Sequence, residues 1–180
     1  MNIIKQIELD CFKYKLQSAL TRALFIEKNK IKLKYDLDNE YQIKIIKWGS
    51  ERLLFNYSKK TEKRLIDEEI EELNSAKTIE EKIDALCDCY VVLTQTFAKA
   101  GLAKVKIEDD EWLQEMFNFY KEIPNKVNDL CYSFECCIDE TIKEISSRIG
   151  SIGKDGKWYK DTSEKAKAKL YKANYNKCKR

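Results

Sequence analysis

Apolar residues recur along this chain at helical spacings almost throughout. Leu9, Phe12, Leu16, Leu20 and Leu24 follow one another at intervals of three and four, which predicts a helix from Ile4 to about Lys30. A polar break over Tyr35 to Asn39 separates it from helices expected over about Glu40 to Leu54 and about Lys59 to Ala76. Thr78 followed by Glu81 is a capping-box pattern that opens the next helix, and Gly101 is expected to end it after Ala100. A further helix is predicted over Asp109 to Ile123, closed by Pro124. Val127, Leu130, Cys131, Phe134, Ile138, Ile142, Ile145 and Ile149 form one stripe, so Asn125 to Ile149 reads as a single helix that Gly150 stops. Gly153 to Gly156 reads as a loop, Lys157 to Lys160 as a short extended piece, and Ser163 onward as a basic helix or frayed tail. The expectation is an all-α helical bundle, with one domain over residues 1–160 and a basic tail over 161–180.

Composition supports that picture. Five Gly and one Pro in 180 residues leave few turns and favour long helices. With 36% charged and 43% hydrophobic residues the chain reads as folded. No stretch approaches the ~20 apolar residues of a membrane span, and Met1 to Arg22 lacks the apolar core of a signal peptide. The expected location is the cytoplasm, away from membranes. Seven Cys in such a setting read as reduced thiols, with Cys87, Cys89, Cys131, Cys136 and Cys137 at apolar helical positions. The sequence has no CxxC pair and no His. That excludes a His-bearing zinc site, Ser-His or Cys-His nucleophile pairs and a His proton shuttle.

The net charge of +3 is unevenly spread: Lys154 to Arg180 holds ten Lys/Arg against three Asp/Glu, a local +7 that leaves −4 elsewhere. A solvated end is the expected reading of this stretch. Trp158, Tyr159, Tyr171 and Tyr175 would offer stacking surfaces to a nucleic acid, but no nucleic-acid partner is expected.

The chemistry must then come from carboxylates, Lys, Tyr, Cys or a metal, and the carboxylates carry the clearest pattern. On a helical wheel Leu65, Ile66, Ile70, Leu73 and Ala76 make an apolar stripe with Glu69 inside it and Glu72 on its edge, while Glu68 and Glu71 point to solvent. The next helix, Ile83 to Ala100, is apolar almost all round and should be buried, yet Asp84 and Asp88 share one face of it, with Glu81 and Gln95 on the same line. Buried acids are normally paired or bound to metal, and like charges four apart repel. Two such faces joined by the short loop at Lys77 and Thr78 can pack antiparallel and point four carboxylates into one site. Hard oxygen donors at that density suit Mg²⁺ or Mn²⁺.

These residues resemble the MazG-like, all-α nucleoside triphosphate pyrophosphohydrolases, which carry EExxE on one helix and ExxD, or DAxxD in phage-type members, on the next. Here the corresponding runs are Glu68-Glu69-Ile70-Glu71-Glu72 and Asp84-Ala85-Leu86-Cys87-Asp88. Trp48 to Arg52 resembles a W-x-x-x-R stretch that precedes EExxE. Glu144 to Gly150 and Gly156 to Lys160 resemble a C-terminal E-I-x-x-R-x-G and G-x-[FW]-x-K signature. The likeness spans roughly Lys44 to Ala100 and Ile142 to Lys160. Residues 1–40 and Leu102 to about Cys137 have no counterpart in compact members, and Lys143 stands where many have Asn.

The resemblance implies hydrolysis between the α- and β-phosphates of a (d)NTP, giving (d)NMP and pyrophosphate. It implies Mg²⁺, with Mn²⁺ as substitute, held by Glu69, Glu72, Asp84 and Asp88. The pair ExxD would instead make Glu81 the partner of Asp84; the DAxxD match favours Asp88. A water molecule assisted by Glu68 or Glu69 would be the nucleophile. Arg148, Lys157 and Lys160 are the expected phosphate contacts, joined by Arg52, and Trp48 could stack on the base. A specialised dUTP, dCTP or phosphoribosyl-ATP pyrophosphohydrolase is the alternative enzyme, and a non-catalytic helical binding module the alternative outside enzymes. A homodimer or homotetramer is expected.

Overall fold

The computed structural model describes residues 39–52, 54, 56–153 and 158–180, and residues 40–180 form one compact unit. The helix expected over Ile4 to Lys30 lies outside the described residues. The rest is mostly helical. Helix α1 spans Glu40–Glu51, α2 Lys59–Ser75, α3 Ile79–Leu102, α4 Glu111–Asp129, α5 Phe134–Ser147 and α6 Glu164–Lys167, with short 3-10 turns at Ile107–Asp109 and Tyr175–Cys178. Strands β1 (Gly150–Ile152) and β2 (Trp158–Lys160) form an antiparallel pair. Among the described residues no helix is long and apolar enough to cross a membrane.

The bundle is organised around α3. Ile83, Leu86, Cys87, Cys89, Leu93 and Phe97 are all buried, on more than one side of the helix, and α1, α2, α4 and α5 each pack against it. A helix apolar all round has to be enclosed in this way. The capping box that opens it is formed as expected: Glu81 N–H donates to the Thr78 hydroxyl, and the Glu81 carboxylate accepts from the Thr78 N–H at 3.0 Å. Its packing with α2, across the turn at residues 76–78, is the most extensive between any two elements. On the opposite side Tyr90 stacks on Tyr120 of α4 at 4.5 Å, and the Tyr120 hydroxyl meets Thr94 and Gln42 at 2.9 and 2.8 Å.

Three expected boundaries move. Gly101 does not stop α3, which runs to Leu102; the left-handed residue falls three positions later, at Lys104 with φ 60°. Pro124 lies inside α4, and the helix continues to Asp129. Its buried stripe of Leu113, Met116, Tyr120, Ile123 and Val127 keeps a three-and-four spacing across the proline, so core burial carries the helix past a residue that removes one backbone hydrogen bond. The single helix expected over Asn125 to Ile149 is two helices. They are divided at Leu130 to Ser133, where Cys131 has φ 65° and Ser133 caps α5 by accepting from Cys136 N–H. The stripe that looked continuous in sequence joins residues of both helices, and its outer member Ile149 is 43% exposed.

The C-terminal segment departs most from its expected solvated state. It lies along α5 like a strap. Tyr171 N–H donates to Ser147 Oγ, Ala173 N–H to Glu144 Oε2, Asn174 N–H to Glu140 Oε2, Ser133 N–H to the Cys178 carbonyl and Arg180 N–H to the Cys131 carbonyl. A disulfide joins Cys136 to Cys178, so these two cysteines are not the reduced thiols the composition implied. Cys87, Cys89 and Cys137 are free and buried, whereas Cys131 is free and exposed. Tyr175 and Cys178 are buried, while the lysines around them remain exposed. Apolar anchors thus hold a segment whose charge alone would favour solvent.

Candidate functional site

On α2 exposure follows the apolar stripe, with Glu72, on the edge of that stripe, exposed. Ile66 is fully buried, Glu69 is half-buried on the same side, and Glu68 and Glu71 are exposed. Glu68 is ion-paired with Arg64 one turn earlier on the outer surface. On α3, Asp88 is half-buried and Asp84 exposed. Glu72, Glu81 and Asp84 line a cleft of about 320 Å³ between the C-terminal end of α2 and the first turns of α3, together with Ser75, Ala76, Lys77 and Ala85. Glu81 is engaged there in the capping box and also accepts from the Lys77 N–H.

Electrostatics ties the four acids together. Burial pushes the Glu69 carboxyl up to about 7; Glu72, Glu68 and Asp84 add to the rise and Arg148 opposes it. Burial pushes Asp88 up to about 8, with Asp84, Glu69 and Glu144 adding and Arg148 opposing. Each of these acids therefore has other carboxylates as its charged neighbours, with Arg148 as the counterweight common to both. Two carboxylates sharing a site raise one another in this way. The adjacent Cys89 thiol is pushed up to about 12 by burial and by the charges of Glu69 and Asp88, so it stays a neutral thiol and not a nucleophile.

The basic and aromatic candidates form a second layer. Trp48 donates its indole N–H to the Ile145 carbonyl at 2.8 Å, and its ring carries the Arg52 guanidinium 4.6 Å from the centroid. Arg52 also lies over the Trp158 ring at 5.3 Å and donates to the carbonyls of Trp48 and Arg148. Trp48 and Arg52 thereby fasten α1 to the end of α5 and to the hairpin. Arg148 follows the last turn of α5, where its Nη2 lies 3.4 Å from Glu144 Oε1. The buried Nε atoms of Arg52 and Arg148 have no hydrogen-bond partner among the described residues. Lys160 is exposed on β2, and Lys157 lies outside the described residues.

Two residues, Glu144 and Tyr175, are not among the site candidates that the sequence offers. Glu144, four residues before Arg148, acts on Asp88 and orients the arginine; its i,i+4 spacing was the available signal. Tyr175 donates its hydroxyl to Asp84 Oδ1 at 2.7 Å from 91 residues away, and no local pattern announces that contact.

The donor set is of the kind a hard divalent cation takes. It consists of oxygen ligands only, clustered with a deficit of positive charge that a cation would relieve. Among the described residues no group of three or more Cys, Asp or Glu stands arranged to hold a metal ion. No protein-family model, curated protein or solved structure matches this chain.

Proposed function

We propose that the protein is a divalent-cation-dependent hydrolase that splits nucleoside triphosphates between the α- and β-phosphates, releasing a monophosphate and pyrophosphate. The observation that supports this most is that Glu69, Glu72, Asp84 and Asp88, from two packed helices, act on one another as charges, with Glu72 and Asp84 lining a cleft and Arg148 opposing the rise at Glu69 and Asp88. Glu69, Glu72, Asp84 and Asp88 would hold Mg²⁺ or Mn²⁺, which supplies charge neutralisation at the phosphate oxygens when bound. Glu81 is a weaker choice of ligand, because two backbone N–H groups already occupy its carboxylate.

The chain's own groups divide the remaining work. Arg148 has guanidinium Nη donors to offer a phosphate oxygen, and Glu144 fixes its direction. Glu69 is the more buried of the two α2 acids in the cluster and is the group suited to accept a proton from an attacking water. Glu68, paired with Arg64 at the surface, acts on Glu69 only as a nearby charge. Trp48 is held by Ile145 and covered by Arg52, so it serves the arginine layer better than it would serve a base.

The test is pyrophosphate release from a panel of ribo- and deoxyribonucleoside triphosphates and phosphoribosyl-ATP with Mg²⁺. Turnover that EDTA abolishes is the expected result, and the rank order would separate a general enzyme from one specialised for dUTP, dCTP or phosphoribosyl-ATP. Absence of pyrophosphate with every substrate, or full turnover in EDTA, overturns the reading.

A further inference from the structure

Among the described residues, Asp84 is the one of the four acids with a hydrogen bond from outside the helix pair. Its partner, Tyr175, belongs to the 3-10 turn of the C-terminal strap; its ring is buried and its hydroxyl also lies 3.0 Å from Thr141 Oγ1 on α5. Around it the strap is fastened at several independent points. Glu140, buried at 1% exposure, accepts from Lys143 and Lys177, both at 2.8 Å, from the Tyr171 hydroxyl and from Asn174 N–H. The Cys136–Cys178 bridge lies three residues beyond Tyr175. A tyrosine ring fixed this firmly has little freedom to follow Asp84; the carboxylate is instead held by the ring.

We propose that Tyr175 is a positioning residue for Asp84, presented by the C-terminal strap so that this carboxylate is held ready for a divalent cation. The inference rests on the carboxylate cluster being a cation site. An exposed aspartate on a helix samples several rotamers, and fixing one of its oxygens selects among them while leaving the other oxygen as a ligand. Hydrogen bonds of this kind to ligating carboxylates orient them, and their loss typically weakens metal affinity by roughly 10–100-fold. The strap is then part of the site and not an appendage to it.

The experiment is Mn²⁺ titration of the full chain, followed by electron paramagnetic resonance of the free ion, in wild type, Tyr175→Phe, Tyr132→Phe and Asp84→Asn. Tyr175→Phe keeps the buried ring and removes only the hydroxyl. Tyr132→Phe removes a second hydroxyl near the strap, the one that donates to Glu80 at 3.1 Å, without touching the four acids. Expected are an affinity about 10-fold weaker in Tyr175→Phe, a wild-type affinity in Tyr132→Phe, and a loss in Asp84→Asn greater than either. The Mg²⁺ concentration for half-maximal turnover should shift with the Mn²⁺ affinity. Wild-type affinity in Tyr175→Phe alongside loss in Asp84→Asn overturns the role of Tyr175 and leaves the cation site standing. Equal weakening in both Tyr→Phe variants also overturns it, since the effect would then be general loosening of the strap. A wild-type chain that binds no Mn²⁺ overturns both the site and the inference.

Discussion

Glu62 and Glu140 are more deeply buried than Glu69 and Asp88, yet their surroundings are opposite in character. Glu62, at 1% exposure, receives Lys99 Nζ at 3.0 and 2.9 Å and the Thr96 hydroxyl at 2.9 Å. Glu140 is ringed by two lysines, a tyrosine hydroxyl and a backbone N–H. Burial alone would raise its carboxyl, but those hydrogen bonds from Lys143, Lys177, Tyr171 and Asn174 outweigh burial and bring it down to about 2. Glu69 and Asp88 face other acids and are pushed up instead. The fold gives Glu62 and Glu140 lysine partners, and gives Glu69 and Asp88 mainly other acids as charged neighbours. Burial does not separate the two pairs; the sign of the neighbouring charge does.

Replacing Glu62 by Gln should produce the largest change in stability. It leaves Lys99 buried and unpaired, a loss of about 3–5 kcal/mol, readable by urea unfolding. A loss below about 1 kcal/mol would break the contrast, because Glu62 would then be no more structural than a surface acid. Asp88→Asn should act oppositely on the two readouts. Pyrophosphate release should fall by more than roughly 100-fold, the upper end of what loss of a supporting partner costs, while Glu81→Gln keeps a substantial fraction. Cation-free Asp88→Asn should also melt higher than wild type at pH 9. The carboxyl of Asp88 is raised to about 8 in the fold, so above that pH the folded state bears a repulsion that the unfolded chain lacks.

Glu140 sharpens the comparison through pH. Its folded value is depressed, so its contribution is present above the unfolded value of 4.5 and is lost as pH falls toward 2. The stability gap between wild type and Glu140→Gln should be about 2–3 kcal/mol at pH 6 and should narrow steadily below pH 4.5. A gap independent of pH would mean that shape and not charge holds the strap. The smallest effect belongs to Lys160, exposed on β2: Lys160→Ala should change KM by less than about fivefold. A larger shift would place the hairpin over the phosphates and redraw the boundary of the site.

How much of this was legible in sequence follows from the range of each signal. The α2–α3 pair was readable because a 3.6-residue period places Glu69 in a stripe, and because a capping box needs only Thr78 and Glu81. The break at Leu130 to Ser133 was hidden, since apolar residues on two helices mimicked one stripe; Ser133 as a cap was the missed cue. Pro124 misled for a physical reason, because the cost of one lost backbone bond is local whereas the burial of Ile123 and Val127 is set by the whole bundle. The strap was the least readable part. Its anchors, Tyr175 and Cys178, follow no period, and their partners Asp84 and Cys136 lie 91 and 42 residues away.

The Cys136–Cys178 bridge also changes how the molecule would bear load. Held at residue 40 and at residue 180 and pulled apart, the chain would transmit tension from Cys136 directly to Cys178, bypassing everything between them. That closed loop holds most of α5, both strands, α6 and Tyr175. Roughly 140–150 Å of extended chain would stay slack while the crosslink is intact and would appear only on reduction. Force applied from that end would therefore reach α4 and α3 while Thr141, Tyr175 and Arg148 remain under no tension.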